Sequence, residues 1–125
     1  MKRIIITKDA PKALATYSQA VEINGMLFIS GQIAIDPGTG KLVEGGITEQ
    51  TQQVMKNIGA ILKEAGYAYR DIIKTTCILS DINNYSAMNS VYGSFFPENP
   101  PARAAFAAAG LPMGALVEIE TVAGK

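Results

Sequence analysis

The spacing of the apolar residues changes several times along this chain of 125 residues, and each change marks a switch between strand and helix. The alternation is cleanest in Leu116 to Val122, where apolar or β-branched residues alternate with Glu118 and Glu120. A period of two is the period of a strand that buries one face. Further strands are predicted at Ile4 to Ile6, Ala20 to Ile23, Met26 to Ser30, Lys41 to Val43 and Ile72 to Leu79.

Turn residues separate these strands. Asn24-Gly25 between two apolar runs is the strongest short-range signal for a hairpin. The stretch Asp36 to Gly40 contains proline and two glycines and is a second turn. The strands before and after Asn24-Gly25 are therefore expected to pair with each other, and Ile4 to Ile6 is expected at a sheet edge.

Two helices are predicted. In the first, Thr48 can cap the amino end, Glu49 lies in the positive first turn, and Gly66 ends the helix. The second begins near Asn83 or Asn84 and ends at Pro97. Their apolar stripes comprise Val54, Ile58, Ile61, Leu62 and Ala65 in the first helix, and Tyr85, Met88, Val91, Tyr92 and Phe95 in the second.

The stretch Ala102 to Ala109 is ambiguous, because its alanines favour a helix by propensity. Prolines and glycines bracket it closely, which makes it short for a helix and comfortable for a strand. As a strand it could pair with Leu116 to Val122 in a hairpin, and Arg103 would then share a face with Glu118 or Glu120. Two helices on a mostly antiparallel sheet constitute an α+β domain.

The composition excludes several kinds of chemistry. The chain has no histidine, so histidine-based hydrolase triads, zinc sites and ribonuclease chemistry lose their usual base or ligand. Lysine plus arginine equals aspartate plus glutamate, a balance that suits self-association better than nucleic-acid binding. Cys77 is the only cysteine, is expected to be an inert core thiol, and makes an internal disulfide impossible.

The cellular setting is inferred from what the sequence lacks. No apolar run reaches the roughly 18–20 residues that span a bilayer. The amino-terminal apolar stretch ends at Thr7, which is short for a signal peptide. The expectation is a cytoplasmic protein without membrane contact, or an organelle-matrix protein if a targeting segment has been removed.

Arg103 and the two glutamates are the candidates for chemistry. Arg103 is the only cation between Lys74 and Lys125, and it lies in a strongly apolar segment. A guanidinium in such a setting needs a partner, because an unpaired buried charge is costly. Either it forms a structural ion pair with Glu118 or Glu120, or it faces a pocket and binds a carboxylate ligand. Taken alone, the glutamates read more simply as the solvated face of a strand.

The order of several short motifs resembles the reactive intermediate deaminase (Rid/YjgF) family. The most specific are Pro101-Ala102-Arg103, Leu111-Pro112 and Val117-Glu118-Ile119-Glu120. Further landmarks that match are Ala10-Pro11, Tyr17-Ser18-Gln19-Ala20, Ser30-Gly31-Gln32-Ile33, Lys74-Thr75-Thr76, Asp81-Ile82-Asn83 and Asn89-Ser90-Val91-Tyr92. They extend over nearly the whole chain, and their joint order and spacing is hard to obtain by chance.

The resemblance implies a chorismate-mutase-like α+β fold that assembles as a homotrimer, with active sites between subunits. It also implies hydrolysis of enamines and imines derived from amino acids, such as 2-aminoacrylate and 2-iminopropanoate, to a 2-keto acid and ammonia, without metal or cofactor. Arg103 would bind the substrate carboxylate, Glu118 would orient or activate water, and Tyr17 would line the cleft. Other substrate-binding positions carried over are Gly31, Ala105, Ser30 and Asn89.

Three features of the chain depart from the family pattern. Ala15-Thr16 replaces the Gly-Pro that usually precedes the tyrosine, and Ala105 stands where many members have cysteine. The residues Ala107 to Gly110 are smaller than usual and could widen the cleft or loosen the strand.

The main alternative function is a trimer without catalysis, which acts as a binding or regulatory protein that sequesters small carboxylates, or as a chaperone. Endoribonuclease or translation-inhibitor activity is a weaker alternative, because the chain lacks histidine and net positive charge.

Overall fold

Eight strands and two α-helices form the framework of the chain, which a computed structural model describes over residues 1–125. In chain order they are β1 (Arg3–Ile5), β2 (Ala20–Ile23), β3 (Met26–Gln32), β4 (Ile35–Asp36), β5 (Lys41–Leu42), α1 (Ile47–Ala65), β6 (Ile72–Leu79), α2 (Tyr85–Gly93), β7 (Ala102–Ala107) and β8 (Val117–Gly124). Six strands form one sheet in the order β1-β2-β3-β8-β6-β7, and β4 and β5 form a separate ribbon. Only the β6–β7 pair is parallel, so the α+β class is confirmed.

The predicted hairpin is present, and the predicted turn after Asp36 joins β4 to β5 in the small ribbon. Asn24 and Gly25 have φ angles of 51° and 77°, the left-handed values that a tight turn between right-twisted strands requires. β2 and β3 pair antiparallel across this turn, and β1 lies at the sheet edge as expected. Ala102–Ala107 is a strand and not a helix, so the short length of this stretch between prolines and glycines outweighs the helix propensity of its alanines.

The helix ends differ in part from the prediction. α1 is capped by Gly46 and not by Thr48, because Glu49 Oε1 accepts a hydrogen bond from Gly46 N at 2.8 Å and the helix has begun at Ile47. Its other end is as predicted, with Gly66 in the left-handed region at φ 86°. α2 ends at Gly93, before Pro97, and the chain continues to Phe96 in turns whose backbone bonds span three residues.

The two faces of the large sheet are unlike. α1 and α2 pack on one face, the helix face, and Cys77, Val117 and Ile119 are fully buried there. Burial raises the pKa of the Cys77 thiol to about 11, so it is protonated at neutral pH and is an inert core residue, as predicted. The other face, the open face, carries no helix and exposes a row of apolar side chains: Ile4, Phe28, Ile73 and Phe106.

β7 and β8 do not form the hairpin that the sequence allowed. β6 lies between them, because β6 is followed by α2 and then by β7, and such a crossover connects parallel neighbours. In this register Arg103 pairs with Thr75 on the helix face, whereas Glu118 pairs with Ile78 on the open face. The expectation that Arg103 shares a face with Glu118 or Glu120 within one chain is therefore wrong.

Candidate active site

Arg103 is held by the side chains of α2. Its Nη1 donates to Asn89 Oδ1 at 2.6 Å, and its Nη2 donates to the Tyr85 hydroxyl at 2.5 Å. The guanidinium carbon also lies over the rings of Tyr85 and Tyr92, at 5.4 and 5.0 Å from their centroids. Two of the five guanidinium N–H groups are thus used by the protein, and no carboxylate of the chain pairs with Arg103.

Tyr85 and Tyr92 were missed as site residues, because the sequence analysis assigned them only to the apolar stripe of the second helix. Tyr92 is buried, and its hydroxyl is hydrogen-bonded to Thr75 Oγ1 at 2.7 Å, which fixes the ring beneath Arg103. The signal that could have found them is the spacing of Tyr85, Asn89 and Tyr92. At intervals of four and three they form one helical row whose tips are polar.

A cleft opens beside Arg103. Its volume is about 760 Å³, and it is lined by Ile82, Asn83, Tyr85, Ser86, Arg103 and Ala105. Arg103 is half-buried at its wall and keeps unused N–H donors. A planar guanidinium with free donors suits a carboxylate, which it can bind through two parallel hydrogen bonds. The Arg103 cleft has no acidic side chain among its lining residues, so an anionic ligand would meet no repulsion from its walls.

Glu118 belongs to a second cleft of about 530 Å³, the Glu118 cleft. Its lining residues are Pro11, Lys12, Leu14, Tyr17, Ser30, Gly31, Gln32, Ile33, Ile35, Pro112, Met113, Glu118 and Glu120. Partial burial raises the pKa of the Glu118 carboxyl, and the negative charge of nearby Glu120 adds to the rise. A carboxylate whose proton affinity is raised in this way is a better general base than a fully solvated one.

Gly31 allows Glu118 to approach the backbone of β3. A Cβ at this position would overlap Glu118 Oε2. The register of β3 against β8 also shifts between Ile29 and Gln32, so Gly31 lies in a bulge. Gly31 therefore lies at a bulge and leaves the space that the Glu118 carboxylate occupies.

Ser30 and Tyr17 line the same cleft. Ser30 Oγ donates to the carbonyl of Ser18 at 2.6 Å, and Ser30 N donates to the carbonyl of Gln19 at 3.0 Å, which ties β3 to the segment that carries Tyr17. Tyr17 is 52% exposed, and its backbone N donates to Ala15 O at 2.9 Å in a tight turn. The pair Ala15-Thr16 therefore forms a turn that directs Tyr17 to the cleft.

The sequence-predicted site residues thus form two groups in one chain. Arg103, Ala105 and Asn89 lie around the Arg103 cleft on the helix side of the sheet. Tyr17, Ser30, Gly31 and Glu118 lie in the Glu118 cleft, whose glutamate projects from the open face. The two clefts have no lining residue in common. No group of three or more metal-ligating side chains is present, and no helix is long and apolar enough to cross a membrane.

Comparison with known proteins gives consistent matches along the chain. A family model described as Endoribonuclease L-PSP matches residues 7–125. The human 2-iminobutanoate/2-iminopropanoate deaminase is 47% identical over 123 residues, which cover 98% of this chain and 90% of that protein. The crystal structure of YyfA of Yersinia pestis, a protein of the conserved Rid family, has a TM-score of 0.97, 49% identity and full coverage of both chains. Escherichia coli TdcF with bound serine has a TM-score of 0.94 and 36% identity, with 98% of each chain covered.

Proposed function

Because the chain belongs to the Rid (YjgF) family, we propose that it is a hydrolytic deaminase of reactive imines and enamines derived from amino acids. The products are a 2-keto acid and ammonia, and the best candidates for substrate are 2-iminopropanoate and 2-iminobutanoate. Close similarity to 2-iminobutanoate/2-iminopropanoate deaminases of several mammals supports an imine deaminase at the family level. No metal or cofactor takes part in the proposed reaction.

The observation that carries this proposal is the state of Arg103, a rigid guanidinium with free N–H donors at the wall of an open cleft. The proposed substrates carry a carboxylate next to the reacting carbon. Two charge-assisted hydrogen bonds from Arg103 would fix that carboxylate, and hence the direction of the C=N bond. The relative TdcF, whose structure holds serine, lends support to a small amino-acid-like ligand.

Glu118 is the proposed base for the attacking water. The water oxygen bonds to the carbon of the protonated imine while Glu118 accepts one water proton and the C=N π pair moves onto nitrogen, which gives a neutral tetrahedral aminoalcohol. Glu118 then returns that proton to nitrogen. The C–N bond breaks with its electron pair on the departing ammonia, and the hydroxyl oxygen forms the C=O bond as Glu118 takes the hydroxyl proton, so the keto acid remains. The imine carbon is already electrophilic, so no covalent nucleophile is needed, in keeping with the protonated thiol of Cys77.

A complete site requires two copies of the chain in this proposal. Arg103 and Glu118 project from opposite faces of one sheet, so the Arg103 cleft of one subunit would meet the Glu118 cleft of its neighbour. The exposed apolar side chains of the open face support association, because monomers rarely leave such patches uncovered. A closed homotrimer would place three such sites at equivalent junctions.

The remaining predicted residues have supporting roles in this site. Asn89 accepts a hydrogen bond from Nη1 of Arg103. Ala105 contributes its backbone to the wall of the Arg103 cleft, and its small side chain leaves room for the substrate. Ser30 fixes the segment before β2 through the Ser18 carbonyl, and Tyr17 covers the substrate from that segment. Gly31 brings the β3 backbone against Glu118.

The test is a coupled assay. A pyridoxal-phosphate dehydratase acting on serine or threonine generates the enamine, and keto-acid release is followed with and without this protein. We expect acceleration above the spontaneous rate in proportion to protein concentration. No acceleration by the folded protein with either amino acid would contradict the proposal for these two substrates.

A ribonuclease is the second candidate function, because the matching family model is described as an endoribonuclease. The zero net charge and the absence of histidine weigh against it. RNA binding through phosphates would weaken steeply as salt is raised, whereas imine hydrolysis would change little. A carboxylate-binding or chaperone-like role without catalysis would instead leave the coupled assay at its spontaneous rate.

Replacement of Gly31 by alanine is expected to lower kcat for imine hydrolysis on the order of 10- to 100-fold, because the new Cβ displaces the Glu118 carboxylate. The measurement is kcat in the coupled assay together with the thermal midpoint Tm. Gly110→Ala is the matched control, since a Cβ at Gly110 meets nothing within 4 Å. Equal kcat values for the two variants would contradict the proposed contact.

A further inference from the structure

Three irregular segments form the walls of the Glu118 cleft. We name them the N-terminal wall (residues 7–18), the middle wall (residues 33–35) and the C-terminal wall (residues 111–116). Pro11, Lys12, Leu14 and Tyr17 belong to the first, Ile33 and Ile35 to the second, and Pro112 and Met113 to the third. Outside the short β4 strand, these segments have no strand partner, so their backbone polar groups need bonds from elsewhere.

A buried glutamine holds the N-terminal wall. Gln19 is 4% exposed, and its Oε1 accepts from Thr7 N at 2.7 Å. Its Nε2 donates to the carbonyls of Thr7 and Pro11 at 2.9 Å each, and of Ala10 at 3.3 Å. One side chain thus fixes both ends of the stretch Thr7 to Pro11, which leads directly into the part of the wall that carries Tyr17.

A buried asparagine of α1 holds the middle wall. Asn57 is fully buried, and its Nδ2 donates to the carbonyl of Ile35 at 2.9 Å and of Ile33 at 3.3 Å. Its Oδ1 accepts from Gln53 Nε2 at 2.8 Å, which fixes the orientation of the amide. Both carbonyls belong to residues whose side chains line the cleft.

A second amide of α1 holds the C-terminal wall. Gln50 is 6% exposed, and its Oε1 accepts from Leu116 N at 2.9 Å. This bond lies two residues before Glu118 and closes the loop that contains Pro112 and Met113. Met113 has a φ of 59°, unusual for a residue with a side chain, so the loop needs an external constraint to keep this shape.

Each wall is therefore fixed by one buried amide, and none of the three amides lines the cleft that it shapes. We propose that Gln19, Gln50 and Asn57 are positioning residues, which set the distance of the cleft walls from Glu118 and so set the rate of the chemical step. This inference rests on the proposed deaminase function. Apolar residues of similar shape would leave the backbone groups of Thr7, Ile35 and Leu116 without these partners, so the three amides hold each wall in one arrangement as well as stabilising the fold.

The test compares isosteric and conservative variants of the same residues. Gln50→Met removes the acceptor for Leu116 N and keeps the volume, whereas Gln50→Glu keeps the acceptor at the positive end of α1. Gln19→Glu keeps the bond from Thr7 N, loses the three donated bonds and turns an oxygen toward the three carbonyls, so it releases the N-terminal wall without change to α1. Thr51→Val is the control, since Thr51 is fully buried and its hydroxyl bonds only to Ile47 O of its own helix.

We measure kcat and KM in the coupled assay and amide hydrogen exchange at Leu116 and Thr7. Gln50→Met and Gln19→Glu are expected to lower kcat on the order of 10- to 100-fold, with KM changed less, while Gln50→Glu and Thr51→Val stay within about threefold of the wild type. Exchange at Leu116 is expected to accelerate in Gln50→Met and not in Gln50→Glu.

Two results would overturn the inference. One is a kcat for folded Gln50→Met and Gln19→Glu equal to that of Thr51→Val, because the amides would then act on stability alone. The other is unchanged exchange at Leu116 in Gln50→Met, because the wall would then not depend on Gln50. If Gln50→Met does not fold, the Gln19→Glu comparison decides. An inactive wild type would instead contradict the proposed function, and the exchange rates would still report whether the amides hold the walls.

Discussion

Replacement of Arg103 by alanine is expected to lower kcat/KM for imine hydrolysis by about 10²- to 10⁴-fold. The variant loses two charge-assisted hydrogen bonds to the substrate carboxylate, each of roughly 1.5–3 kcal/mol, and a loss of about 1.4 kcal/mol corresponds to tenfold. The fold should tolerate the change, because the partners left behind, Asn89 and Tyr85, are exposed and half-buried and can bond to water. The measurement is kcat/KM in the coupled assay.

Two further variants separate the role of Arg103 from the effect of its charge. Arg103→Lys keeps the charge but loses the planar pair of donors, and we expect an intermediate loss. Arg70→Ala removes an exposed arginine whose side chain makes no hydrogen bond, and it should retain wild-type activity. Wild-type kcat/KM in a folded Arg103→Ala protein would contradict the assignment of Arg103 as the carboxylate anchor.

Replacement of Glu118 by glutamine is expected to lower kcat by about 10²- to 10⁴-fold, because the amide cannot take the proton of the attacking water. KM should change less, since the proposed anchor of the substrate is Arg103. The measurement is kcat across a pH series. A Glu118→Gln variant with wild-type kcat would contradict the proposed base.

The pH profile gives an independent check on Glu118. Burial and the charge of Glu120 raise the pKa of Glu118, so the wild-type rate should fall on acidification at a pH above the usual range for a glutamate. Glu120→Gln removes the charged neighbour and should move this acid limb to lower pH. An acid limb at the same pH in both proteins would mean that another group controls it.

The raised pKa of Glu118 also affects the stability of the fold. Ionisation of Glu118 favours catalysis but disfavours folding. A carboxyl whose pKa is higher in the folded state favours folding when protonated, and this contribution is lost as the pH rises through the folded-state value. At neutral pH the ionised Glu118 therefore costs stability. Glu118→Gln should raise Tm at neutral pH while it lowers kcat, and the gain in Tm should shrink on acidification.

Local features of the chain were predictable because their causes are local. Asn24-Gly25 determines its turn through backbone conformation, and the alternation around Glu118 determines which strand residues are buried. Gly66 ends α1 because glycine adopts the left-handed conformation after a helix without steric cost. The α+β class follows from these elements, since two helices and several strands leave few ways to bury their apolar faces.

The arrangement of the strands could not be predicted from local signals. The position of β6 between β7 and β8 depends on pairings of residues far apart in the sequence, such as Cys77 with both Ala105 and Ile119. For this reason β7 and β8 do not form the hairpin that would have placed Arg103 on one face with Glu118 or Glu120. Gln50 and Asn57 were also missed, because an amide side chain in a helix gives no sign in the sequence of the loop that it contacts. Tyr85 belongs to a helical row with polar tips, but that spacing does not show that the row contacts Arg103.

The central claim is that Arg103 of one copy and Glu118 of another form one site. The most direct measurement is the deaminase activity of a mixture of Arg103→Ala and Glu118→Gln chains, refolded together in equal amounts. In a closed ring assembled at random, about one quarter of the junctions receive both intact residues, so we predict recovery of about a quarter of the wild-type activity from two nearly inactive proteins. A mixture no more active than its two components would contradict a site shared between chains.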